Sequence, residues 1–173
     1  MQPDQAKFLM NILLRQMQQE AKTTRRVIEA IPDGKGDYRP DPKARTANEL
    51  AWHLAAADVW FLNSIANGNF EQPEQTMPAE IKSSADMGRW YDKNLSAAAD
   101  RVGKLSADQL AQTLNFYNVF NQPAVTYLAF AVNHSVHHRG QLSTYIRPMG
   151  GKVPSIYGGS ADEPFEMPQT AGA

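Results

Sequence analysis

Apolar residues recur every three or four positions along four long stretches of this chain, and proline and glycine clusters separate the stretches. That period gathers apolar side chains on one face of an α-helix. The first stretch runs from about Asp4 to Ile31, with Phe8, Ile12, Leu13, Met17, Ala21, Val27 and Ile28 as its apolar positions, and Pro32-Asp33-Gly34 stops it. The second opens on Thr46-Ala47-Asn48-Glu49, a capping box with Thr46 as N-cap, and continues through Leu50, Leu54, Ala57, Phe61 and Ile65 to Gly68. A loop with Pro73 and Pro78 leads to the third, which begins near Ser83 or Ser84 and runs through Met87, Trp90, Tyr91, Leu95 and Val102 to Gly103. Ser106-Ala107-Asp108-Gln109 has the same capping pattern and opens a short extra turn. Leu114 to Asn121 reads either as an extended segment or as a packed loop. The fourth helix is expected to start at Asn121 or Gln122, with Pro123 in its first turn, and to end near Arg147, before Pro148 and Gly150-Gly151. Its Pro123–Val132 portion is apolar almost all round, so it should be buried on most faces. The expected fold is all-α: a four-helix bundle over about residues 4–147, an irregular tail over about 148–173, and one domain in all.

Composition narrows the function classes. A chain of 173 residues can bury a real core, and 42% hydrophobic with 20% charged residues is a globular balance. The net charge of -1 and the lack of basic runs longer than Arg25-Arg26 give no footprint for nucleic acid. The chain has no cysteine, which excludes disulfides, thiolate metal sites and a cysteine nucleophile. No signal-peptide pattern and no apolar run of about 18 residues occur, so the expectation is a cytoplasmic protein that does not span a membrane.

The chemistry gathers in the four histidines. His134, His137 and His138 lie on the fourth helix and His53 on the second. Residues four apart on a helix stand one above the other, so the imidazoles of His134 and His138 can converge on one ion. His137 points about 100° away from His138. His134 with His137 is the competing pair. His134 with His138 is preferred because Tyr127, Ala131, Gln141 and Tyr145 share that face and form a pocket wall. His53 would supply a third nitrogen from the facing helix. Three neutral imidazoles leave a coordination position open for water or substrate, as catalytic zinc sites do.

Other residues read more plainly. His137 is expected to be structural or to support the ligands from behind. Glu49 lies one turn before His53; the capping box claims its carboxylate, and a supporting or base role is the lesser reading. Asp58 points elsewhere, Arg139 should pair with an acid, and Trp52, Trp60 and Trp90 read as core or interface aromatics. Gly140 inside a helix marks either a close approach of backbone or ligand, or tolerated drift. Neither a Gly-x-Ser-x-Gly elbow nor a phosphate-binding glycine loop occurs. The acidic tail, with Asp162, Glu163 and Glu166, is a candidate cover for the site or dimer contact.

Asn133-His134-Ser135-Val136-His137-His138-Arg139-Gly140-Gln141-Leu142 resembles the signature of the DinB family, within the DinB/YfiT-like metalloenzymes. Glu49-Leu50-Ala51-Trp52-His53-Leu54 is similar to that family's first ligand segment, and Lys152-Val153-Pro154-Ser155-Ile156-Tyr157-Gly158 to its tail. The resemblance implies a four-helix bundle, a homodimer, and one nickel or zinc ion held by His53, His134 and His138. It further implies a transferase or isomerase that uses a low-molecular-weight thiol such as bacillithiol, mycothiol or glutathione. The leading expectation is therefore a metal-dependent transferase acting with such a thiol, with Tyr127, Gln141 or Tyr145 positioning substrate. A metal-dependent hydrolase with Glu49 as its carboxylate is the second reading. A stress-related dimer that binds metal or ligand without turnover is the third.

Overall fold

A computed structural model describes residues 1–73 and 76–165. Its long helices are α1 (Pro3–Glu29), α2 (Ala47–Asn67), α3 (Ser84–Gly103) and α5 (Thr126–Ile146); α4 (Ala107–Ala111) is a single short turn. Both α1 and α2 pack against α3 and α5, so the four surround one core with α1 and α2 on a diagonal. The caps fall where the side chains call for them. Thr46 Oγ1 accepts from Glu49 N at 3.2 Å while Glu49 Oε2 accepts from Thr46 N at 2.7 Å. Ser83 with Asp86 and Ser106 with Gln109 repeat this reciprocal pattern. Gly68, with φ of 75°, ends α2 in the left-handed region that a side chain would disfavour.

Two expectations need correction. The fourth long helix starts at Thr126, not at Asn121 or Gln122. The preceding residues form an antiparallel hairpin, β1 (Thr113–Phe116) against β2 (Phe120–Pro123), with Thr113 opposite Pro123. The ambiguous Leu114–Asn121 stretch is thus extended at both ends, and the otherwise all-α fold carries one small sheet. Pro123 lacks an N–H, which suits a strand end as well as a helix start, so the residue alone does not choose. Tertiary bonds choose: Ala124 N donates to Gln112 O at 2.8 Å and Val125 N to Leu110 O at 3.0 Å. The hairpin turns at Tyr117 and Asn118, both with positive φ.

The second correction concerns α1. Phe8 is 66% and Ile12 43% exposed, whereas Ala6, Met10, Leu14, Met17, Ala21, Thr24, Val27 and Ile28 face the core. The buried line keeps helical spacing but includes Thr24, which apolar patterning passes over. Thr24 belongs to a polar layer to which all four long helices contribute. Asp58 of α2 is fully buried, and its Oδ2 accepts from Tyr91 of α3 at 2.7 Å and from Ser135 of α5 at 2.8 Å. Thr24 of α1 lies 3.4 Å from Ser135, Oγ to Oγ, and accepts from Arg139 at 3.4 Å. Arg139, 1% exposed, pairs with Glu20 of α1 at 2.6 Å, as expected of it.

Burial pushes the Asp58 carboxyl up to about 7 from 3.8, against the pull of Tyr91, Ser135 and Arg139. Its Oδ1 has no partner among the described residues, and burying an unsatisfied oxygen costs less without a charge. The folded protein therefore holds a proton, between about pH 4 and 7, that the unfolded chain has released. Stability should fall as pH rises through that window, because the folded state binds more protons there. In Asp58→Asn this component of the slope is expected to vanish, as denaturant unfolding at several pH values would reveal. A slope identical to the parent's would mean that Asp58 is ionised throughout.

Gly140 sits on the exposed side of α5, and a Cβ built there meets nothing within 4 Å. No close approach explains it. Gly140→Ala should therefore stabilise the fold by about 0.4–1 kcal/mol, seen as a melting point raised by a few degrees. A lower melting point would indicate a crowding that the structure lacks.

Candidate metal centre

The histidines occupy the seam where α2 packs against α5. One nitrogen each from His53, His134 and His138 lies within 4.8 Å of the other two. The ring centroids are 5.1 Å apart for His53 and His134, 4.7 Å for His53 and His138, and 4.4 Å for His134 and His138. His53 Nε2 and His138 Nε2 face each other at 3.3 Å. Two imidazoles bound tetrahedrally at about 2.0–2.1 Å would stand roughly 3.3 Å apart, so this pair already has the spacing of two ligands.

The electrostatics agree with that use. Burial is the main cause that depresses all three rings: His53 to about 4, His134 to about 3, and His138 below its ordinary value. Positive charge from Arg45 pushes each the same way. At neutral pH the rings are uncharged and keep a free lone pair, the form in which histidine binds metals. His138 Nδ1 lies 3.1 Å from Gln141 Oε1, an acceptor, so Nδ1 carries the proton and Nε2 presents its lone pair to the centre. Gln141 in turn donates to the Tyr145 hydroxyl at 3.4 Å. His134 Nδ1 is buried with no hydrogen-bond partner among the described residues. These features fit a divalent ion, and no fourth His, Asp or Glu joins the group among the described residues.

The remaining sequence candidates take varied places. His137 is exposed, its ring 4.8 Å from that of His138, and it makes no hydrogen bond among the described residues. Glu49 keeps its capping bonds, which hold its carboxyl below the usual range, yet it also borders a cavity beside the histidines. Tyr127 lies deep in the core; its hydroxyl donates to Leu114 O at 2.9 Å, and it is not among the residues lining that cavity. Gln141 and Tyr145 stand behind His138 rather than on the cavity wall. Asp58 is turned into the polar layer. In the tail, Arg147 donates to Asp162 at 2.8 Å and Arg26 to Glu163 at 2.6 Å, so both carboxylates are held by arginines near helix ends; Glu166 lies outside the described residues.

Sequence reading missed the cavity itself, about 660 Å³ and bordered by His53 and His134. Arg39, Lys43 and Arg45 are among its lining residues, and so are Trp52, Trp60 and Phe116. The only available signal was a cation-rich loop running straight into the Thr46 cap.

The profile of the DinB family matches residues 4–168. The chain belongs to the DinB family. YrdA of Bacillus subtilis (strain 168) is 24% identical over 144 residues, 83% of this chain and 85% of that protein. YjoA of the same strain is 26% identical over 130 residues, 73% of this chain and 82% of that protein. The crystal structure of the DinB-like YjoA superposes with a TM-score of 0.66 at 21% identity, covering 88% of this chain and 96% of that one. A DinB-like protein from Bacillus cereus ATCC 10987 gives 0.70 at 23% identity, with 84% and 95% covered. At such identities the structural likeness speaks for the fold alone.

Proposed function

We propose that this DinB-family protein is a metal-dependent transferase that uses a low-molecular-weight thiol. One observation carries the reading: three neutral imidazoles converge beside an open cavity that His53 and His134 border, with no fourth protein ligand among the described residues. His53, His134 and His138 would hold one divalent ion, and nickel and zinc both suit imidazole. When bound, the ion lowers the pKa of a thiol and so supplies a thiolate nucleophile. Gln141 fixes the His138 tautomer, and the Tyr145 hydroxyl accepts from Gln141 and steadies it. The test is a screen of metal-loaded protein with bacillithiol, mycothiol and glutathione against alkyl and aryl electrophiles. Conjugation that disappears on chelation is the expected result; no reaction with any thiol would refute the reading.

Glu49 on the cavity border keeps a hydrolase as the second reading, in which that carboxylate serves as base. Ester hydrolysis lost in Glu49→Gln, with metal retained, would favour it over thiol transfer. We also propose a homodimer, supported by the two exposed apolar side chains Phe8 and Ile12, one turn apart on α1. Sedimentation of the parent and of Phe8→Ser/Ile12→Ser would decide between dimer and monomer.

A further inference from the structure

The cavity beside the histidines is lopsided in charge. Arg39, Lys43 and Arg45 line it, and Glu49 is the one carboxylate among its described lining residues. The chain as a whole carries -1, so this excess of cations is local. Glu49 offsets only part of it: its carboxylate is bonded to the Thr46 cap and feels Arg39 and Arg45 through space, but neither arginine comes within ion-pair distance of it.

Arginines elsewhere are engaged. Arg25, Arg26, Arg89, Arg139 and Arg147 form ion pairs. Arg15 donates to Asn11 O, and Arg101 to Asn63 and Asn67. Arg39 and Arg45 alone among the arginines have no hydrogen bond or ion pair with the described residues. A guanidinium offers a rigid fork of donors matched to a carboxylate, and here two such forks border the same cavity. A divalent ion at the histidines would add to the positive potential, which an entering anion would offset.

The aromatic lining residues bring another chemistry. Trp60 stacks on Tyr117 at 6.4 Å and 10° between planes, and its ring is 6.2 Å from Phe116. Phe130, also on the border, is 46% exposed. These rings form a broad apolar wall, largely pre-built, of the sort that covers the body of a small ligand.

We propose that the cavity takes a small organic anion with a flat apolar body, its carboxylate held by Arg39 and Arg45 and its body against Trp60, Phe116 and Phe130. The proposal rests on the thiol-transferase reading only in naming the class of molecule that reaches the histidines. Lys43, also in the lining, adds charge without a fixed geometry.

The probes are 2-naphthoate and its neutral counterpart 2-naphthamide, titrated by calorimetry into metal-loaded protein, chelated protein and the variant Arg39→Gln/Arg45→Gln. The acid should bind the parent at least about 10-fold more tightly than the amide, with or without metal, and added salt should shrink the gap. In the double variant the two probes should bind alike, with metal content unchanged and the amide unaffected. Equal affinity of acid and amide for the parent would overturn the proposal. So would a preference that survives in the double variant but disappears on chelation, since the acid would then sit on the ion. Neither titration requires turnover. Thiol conjugation without a carboxylate preference would sink this proposal and leave the transferase reading standing, and the reverse result would do the opposite.

Discussion

His138→Ala should leave the protein without bound metal. Elemental analysis of protein purified without added metal is expected to find close to one divalent ion per chain in the parent and almost none in the variant. The affinity loss should exceed about 100-fold, because changes merely behind metal ligands already cost 10–100-fold. The argument is geometric: His53 Nε2 and His138 Nε2 stand 3.3 Å apart, and deleting one ring leaves two donors and a wide gap. His137→Ala is the informative control, for its ring is a near neighbour of the site at 4.8 Å from His138 yet points to solvent. It should retain the ion. Metal lost from His137→Ala and kept in His138→Ala would shift the site to the rival pair of rings. Gln141→Ala should fall between, since it frees the His138 tautomer without removing a donor.

Arg139→Met is expected to be among the most destabilising single changes in the protein. Arg139 is 1% and Glu20 13% exposed, with 2.6 Å between them. The guanidinium also donates to Glu20 O at 3.1 Å and to the Tyr157 hydroxyl at 2.6 Å. Methionine would fill much of the volume but leave the Glu20 carboxylate without its counter-charge, holding only the Tyr157 hydroxyl at 2.9 Å, and would remove a tether of the tail. Removing one member of a buried pair costs about 3–5 kcal/mol, which in a chain of this size lowers the melting point by roughly 10 °C. Removing both in Arg139→Met/Glu20→Met should recover most of the loss, since an apolar replacement of the whole pair is often neutral. Calorimetric melting of the three variants checks this. If Arg139→Met melts within a degree of the parent, the pair contributes nothing to stability.

Local signals were the readable ones. Thr46 with Glu49 and Ser106 with Gln109 close reciprocal bonds within four residues, and each opens a helix as expected. His134 and His138 share a face by helical geometry alone, and His53 meets them because α2 and α5 pack together. What stayed hidden depends on contacts distant in sequence. The β1–β2 hairpin is fixed by bonds to Gln112 and Leu110 and by a turn in which Tyr117 and Asn118, rather than glycines, take positive φ. Phe8 and Ile12 match the apolar period, but the core face of α1 lies elsewhere and includes Thr24 because Arg139 and Ser135 await it. Tyr127 shares the helix face of His134, yet Leu114 O draws its hydroxyl into the core, out of reach of the cavity. Arg39 and Arg45 border the cavity through the path of a loop that no periodicity describes.

The buried layer around Asp58 also acts as an alignment key for the histidines. Greasy helix faces tolerate sliding, since one apolar contact replaces another at little loss, whereas a polar group must meet its own partner. Asp58 follows His53 on α2, Ser135 adjoins His134 on α5, and the 2.8 Å bond between them permits one longitudinal setting of the two helices. Displacement by a single turn, about 5.4 Å, would carry His53 farther than the entire 4.8 Å span of the nitrogen donors.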